Sequence, residues 1–160
     1  MKRTAVGFTL IELVVVLAIA AILAAVAIPN YSAYVVRGKR AAAKTVLLES
    51  AQWMERNYTA NGCYNRSTPA ECRPPQAGVD LTLPFAAAPR EGRASYVIGF
   101  VPGSLASQGF TLQATPCGTA GTCAAGSDLL TDAECGNFGL SNLGERTISG
   151  SGTIANCWQR

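Results

Sequence analysis

The apolar run from Leu13 to Ile28 constrains this chain more than any other stretch. Residues 8–28 (FTLIELVVVLAIAAILAAVAI) hold a single charge, Glu12. Wound as an α-helix they span about 31 Å at ~1.5 Å per residue. A bilayer's hydrocarbon core is roughly 30 Å thick, so the run predicts a transmembrane helix. Lys2 and Arg3 precede it, and positive flanks stay on the cytoplasmic side. All six cysteines follow it: Cys63, Cys72, Cys117, Cys123, Cys135 and Cys157. They would lie across the membrane in an oxidising compartment, where an even set of cysteines reads as disulfides.

Glu12 is the anomaly. A secretory signal peptide or a plain anchor would explain the rest of the run, and Ala18-Ile19-Ala20 and Ala25-Val26-Ala27 each have the small-residue form of a signal-peptidase site. Neither explains a carboxylate at the head of the core. At bilayer depth it costs about 2.5–3.5 kcal/mol. Close to the helix start the positive end of the helix dipole offsets part of that cost. The remainder calls for a partner.

The stretch GFTLIE, Gly7 to Glu12, follows a short basic leader and precedes an apolar helix containing Pro29. In this it resembles the type IV pilins. The resemblance implies cleavage between Gly7 and Phe8 by a prepilin peptidase/methyltransferase, and N-methylation of Phe8. It also implies that Glu12 neutralises the terminal amine of a neighbouring subunit as a filament assembles. A buried charge is penalised when alone and satisfied when matched, so the carboxylate would select the axial register of the stack.

Pro29 interrupts helical hydrogen bonding. With Gly38 it makes residues 29–38 the weakest part of the helix. A plain reading is a helix end; the resemblance implies a kink, or a segment that extends on assembly. Beyond Gly38 an amphipathic pattern resumes. Ala43, Val46, Leu47, Ser50, Trp53, Met54 and Tyr58 recur at helical spacing. Arg40, Lys44, Glu49, Glu55 and Arg56 fall mostly on the other side. A helix over 39–60 is predicted to dock on a domain, with Trp53 and Tyr58 in its core stripe, and Asn61-Gly62 to stop it. The whole helix would run on the order of 80 Å.

Residues 62–160 read as a small sheet held by disulfides. ASYVIGFVP (Ala94–Pro102) and GFTLQATP (Gly109–Pro116) form an antiparallel pair. In the second, Phe110, Leu112 and Ala114 share one face. NFGLSNLGERTISG holds a shorter pair around Gly144. A meander of three or four strands is expected, with residues 62–93 a long loop and 135–157 an edge. Six cysteines allow fifteen pairings; local order favours Cys63–Cys72, Cys117–Cys123 and Cys135–Cys157. The last resembles the C-terminal disulfide loop of pilins, and FTLQATP, DAECG, GERTISG and NCW together resemble the C-terminal signature of PilE-like minor pilins. Cys117 and Cys123, in the glycine-rich PCGTAGTC, depart from that pattern.

Composition removes several functions. The net charge is +3, of which Lys2 and Arg3 supply two, so the remainder is no polybasic surface. There is no histidine and no C-x-x-C pair, so neither a zinc site nor a histidine-based catalytic group is expected. No cofactor is expected, and P-loop and G-x-G-x-x-G patterns do not occur. Asp128, Asp132 and Glu134 could suggest calcium, but their spacing matches no calcium loop and they read as a solvated turn, with no metal expected. Arg90 and Arg93 flank Glu91. Loop charges of this kind are ordinarily solvated, so nucleic-acid contact is the less favoured reading.

The expected fold is α+β, the type IV pilin fold: a long N-terminal α-helix, membrane half plus amphipathic half, on a small antiparallel β-sheet. The expected domains are a leader (1–7), a transmembrane and filament-core helix (8–28), a helix continuation (29–61) and a disulfide-stapled globular domain (62–160). The resemblance implies a structural, non-enzymatic subunit of a type IV pilus. It would reside as precursor in the bacterial inner membrane with the globular domain in the periplasm, then pass through the pilus assembly machinery into an extracellular fibre. Its partners would be other pilins, met through the N-terminal helix. A type II secretion pseudopilin, a DNA-receptor pilin and an anchored periplasmic enzyme are the alternatives.

Overall fold

A computed structural model describes residues 9–69, 72, 81–120 and 123–159. The chain divides into two compact units between Val36 and Arg37.

Helix α1 spans Leu10–Asn61. It begins on Thr9 and Glu12, which form a capping box. The Glu12 backbone N–H donates to Thr9 Oγ1 at 3.3 Å, and the Thr9 N–H returns to Glu12 Oε2 at 3.0 Å. Such a box satisfies two of the donors that every helix start leaves open. The backbone is helical at Pro29 and Gly38, so neither ends the helix. The end comes at Asn61, where Gly62 turns to φ +85° and donates to the Tyr58 carbonyl at 2.7 Å. Only glycine enters that left-handed region without penalty.

In the second unit five strands follow: β1 (Ala87–Ala88), β2 (Tyr96–Phe100), β3 (Thr111–Pro116), β4 (Phe138–Ser141) and β5 (Arg146–Ile148). They form one antiparallel sheet in sequence order. Both predicted pairs are present, and Phe110, Leu112 and Ala114 are buried. The meander has five strands because Ala87–Ala88 pairs with Val97 and Tyr96. Two alanines carry no strand propensity, so only the exposed edge of β2 makes them a strand. Two short helices complete the unit: α2 (Cys117–Ala120) and α3 (Ile154–Gln159). Helix α3 falls partly in the region read as strand and edge. Thr153 Oγ1 caps it by accepting from the Asn156 N–H at 3.2 Å.

The core joins the second half of α1 to the sheet. Ala43, Val46, Leu47, Ser50 and Met54 are buried on the helix, facing a set that includes Tyr96, Ile98, Leu112, Phe138 and Leu140. Trp53 and Tyr58 are half-buried rather than in the core stripe. They flank the line through Ala43, Leu47, Ser50 and Met54, and Tyr58 instead stacks on Tyr64 at 4.4 Å between centroids.

Candidate functional site

In the first unit α1 presents apolar side chains to its surroundings on every side. From Leu10 to Ile28 each described side chain is exposed. A surface helix of a soluble domain has a polar face; this one has none beyond Glu12. The Glu12 carboxylate is held by its own chain. Oε2 accepts from both the Thr9 N–H (3.0 Å) and the Thr9 hydroxyl (2.9 Å). Oε1 has no partner among the described residues, so one acceptor oxygen remains for a donor from elsewhere. Thr9 was not singled out in the sequence, although T-x-x-E before an apolar run is the signature of a capping box. Gly7 and Phe8, the expected cleavage and methylation positions, lie outside the described residues. A Cβ added at Gly38 would meet nothing within 4 Å, so packing does not demand that glycine.

The second unit is closed by a polar seam on α1. Arg40 is buried, contrary to its expected place on the solvent side. Its Nε and Nη2 donate to Asp132 Oδ2 and Oδ1, both at 2.7 Å, and Nη2 also reaches Glu134 Oε2 at 2.9 Å. Asp132 accepts in addition from the Tyr96 hydroxyl and the Cys135 N–H, both at 3.0 Å. Burial pushes the Asp132 carboxyl up. The hydrogen bonds from Arg40, the Cys135 N–H and Tyr96 outweigh it and hold the group below the usual carboxylate range. Burial first, and then the Asp132 charge, drive the Tyr96 phenol well up. Lys39 pairs with Asp128. Of the acidic cluster only Asp132 is buried, while Asp128 and Glu134 stay partly solvated; all three carboxylates pair with α1.

Lys44 extends the seam by donating to the Cys157 and Trp158 carbonyls at 3.0 and 3.3 Å. Burial, then the positive charges of Arg40 and Arg146, lower its pKa. Disulfides join Cys63 to Cys72, Cys117 to Cys123 and Cys135 to Cys157. The third ties the Asp132–Cys135 turn to α3. Trp158 on α3 meets Phe138 edge-on at 5.6 Å, and Phe138 meets Tyr96 at 6.0 Å.

Arg90 and Arg93 are exposed but held. Arg90 pairs with Glu49 at 3.1 Å and lies 4.3 Å over the Phe85 ring. Arg93 donates to the Gly126 and Ser127 carbonyls at 2.9 and 3.4 Å.

The profile of a prokaryotic N-terminal methylation motif matches residues 7–28. The profile described as "Type IV minor pilin ComP, DNA uptake sequence receptor" matches residues 29–139, more than two thirds of the chain. The chain is a type IV pilin. Among curated relatives, the type IV major fimbrial protein FimA of Dichelobacter nodosus is 36% identical over 103 residues, covering 51% of this chain and 65% of that one. The type IV major pilin PilA of Myxococcus xanthus (strain DK1622) is 58% identical over 41 residues, covering 26% of this pilin and 19% of its own length. The pilin thus spans less than two thirds of either relative. A solved type IV pilin from Shewanella oneidensis is 26% identical with a TM-score of 0.40, covering 78% of this chain and 98% of that one.

Proposed function

We propose that this pilin is a minor structural subunit of a type IV pilus. It is cleaved between Gly7 and Phe8, methylated at Phe8, and drawn from the membrane into a filament that supports adhesion and twitching motility. One observation carries the reading: an apolar helix exposed on every side whose single carboxylate leaves Oε1 without a partner among the described residues. Stacked against sister helices, that surface leaves both lipid and water. The terminal amine of the next subunit then supplies the donor that Oε1 lacks. Pro29 and Gly38 give residues 29–38 the least helical preference, and the rod bends or extends there. The globular domain faces the periplasm before assembly and the outside of the fibre after it.

The test is Glu12→Val in cells that make the pili. The variant is expected to lose its leader normally and yet be missing from sheared fibres. Incorporation at the unsubstituted level refutes the pairing role.

DNA reception is a second reading, favoured by the description of the profile that covers residues 29–139. Binding of duplex DNA by the purified protein, weakening steeply as salt rises, supports it. Binding that ignores salt, or none, removes it.

A further inference from the structure

We propose that Tyr31 and Tyr34 are the outer interfacial anchor of α1. They would seat among the carbonyl and phosphate groups of a phospholipid leaflet and fix how deep the apolar run lies before assembly. The inference rests on the membrane-inserted precursor described above.

No charged residue lies between Glu12 and Arg37. The uncharged stretch 13–36 covers about 36 Å as a helix, roughly 6 Å more than the hydrocarbon core. Hydropathy alone therefore lets the helix slide by about one turn. The polar side chains after Ile28 decide the register. The Asn30 side-chain amide donates back to the Val26 carbonyl at 3.0 Å, so this residue tolerates an environment poor in water. Tyr31 and Tyr34 are 71% and 69% exposed. Three residues apart on a helix, they are neighbours on one face.

An exposed tyrosine presents an apolar ring and a phenolic O–H. Water leaves the ring unsatisfied, and hydrocarbon leaves the hydroxyl unsatisfied. The headgroup layer accommodates both. With Ile28 at the edge of the core, Tyr31 and Tyr34 follow by about 4.5 and 9 Å along the axis. Helical side chains lean back toward the N-terminus, which returns the Tyr34 ring toward the boundary. A sister helix is the rival occupant of this face. Close helix packing in lipid favours small residues, and the alanines from Ala18 to Ala27 lie within the run, ahead of the tyrosines.

The six cysteines are all disulfide-bonded, so one added cysteine takes a label alone. Full-length protein carrying Val26→Cys, Ala33→Cys or Arg37→Cys is labelled with a polarity-sensitive fluorophore. It is reconstituted in phosphatidylethanolamine–phosphatidylglycerol vesicles over a range of protein-to-lipid ratios. Quenching is measured from water and from brominated acyl chains. The Val26 label should be shielded from water, the Arg37 label open to it, and the Ala33 label intermediate at every dilution. Adding Tyr31→Ser and Tyr34→Ser should move the Ala33 label toward the exposure of Arg37, because the rings are lost and the hydroxyls remain, and Tyr31→Trp with Tyr34→Trp should restore its intermediate depth. An Ala33 label that matches either neighbour in the unsubstituted background overturns the proposal. So does protection that fades on dilution, which assigns the face to a second copy, or a serine variant with no shift. A water-accessible Val26 label sinks the membrane precursor itself, whereas failure of the filament reading leaves these depths unchanged.

Discussion

Replacing Asp132 by Asn keeps the shape of the side chain and removes its charge. The carboxylate accepts four hydrogen bonds: two from Arg40, one from Tyr96 and one from the Cys135 N–H. An amide retains one acceptor oxygen. Placed as Oδ1 it serves Arg40 Nη2 and Cys135, and its NH2 group then faces Arg40 Nε, donor against donor. The Tyr96 hydroxyl can turn and accept; the guanidinium cannot. The side chains of Arg40 and Asp132 are 11% and 1% exposed, so water does not replace the lost partner. Removing one member of a buried ion pair costs about 3–5 kcal/mol. Glu134 remains as a second anion for Arg40, which places the cost at the low end, about 3 kcal/mol. For a chain of this size that lowers Tm by about 10 °C. The assay is thermal unfolding of the full chain in detergent, followed by near-ultraviolet circular dichroism of the aromatic core. Asp132 titrates lower folded than unfolded, where its pKa is about 3.9. Its stabilisation is therefore complete above that value and lost as pH falls through the folded pKa. The gap between the two proteins should stay constant from neutral pH down to about pH 5 and close below about pH 4. Glu134 is 53% exposed, so Glu134→Gln should cost less than about 1 kcal/mol. A loss for Asp132→Asn no larger than that of Glu134→Gln would refute the buried-pair argument.

Three further outcomes follow from the same geometry. Gly150→Ala places a Cβ 2.3 Å from the Glu134 carbonyl oxygen; backbone cannot rotate aside, so a loss of about 1–3 kcal/mol is expected in chemical denaturation. Replacing Cys135 and Cys157 together by serine releases α3 from the Asp132 turn. It should cost about 2–4 kcal/mol, with faster amide exchange at Trp158 than at Leu47. Thr9→Val removes the hydroxyl of the capping box and should weaken the first turn of α1 by about 1 kcal/mol, read as faster amide exchange at Glu12 in micelles, with Thr9→Ser restoring protection.

The strands were legible where alternation was strong, as in β3, whose apolar residues Leu112, Ala114 and Pro116 are all buried. Strand β1 was not, because two alanines become a strand only once β2 offers an edge. Helix α3 hid in a short segment with one aromatic and no repeated spacing. The seam on α1 was legible in part. Arg40 lies three residues before Ala43 and seven before Leu47, in phase with the buried stripe, so its burial followed from spacing. Its charge argued the other way, and the compensating Asp132 is 92 residues away, beyond the reach of local pattern. The same distance turned three acidic residues with no motif into partners for Lys39 and Arg40. Glu12 stands out in the sequence as a misplaced charge, whereas Thr9 is an ordinary threonine whose role shows only in the cap it forms with Glu12.

The six cysteines are bonded as consecutive couples along the chain, and no closed loop encloses or crosses another. In the precursor proposed above, whose N-terminus stays in the cytoplasm, the residues beyond α1 would cross the membrane in sequence order, exposing Cys63 and Cys72 well before Cys117, and the second couple before the third. An oxidant that joins whichever two thiols have most recently emerged would write this connectivity. The order of export would then carry the pairing information.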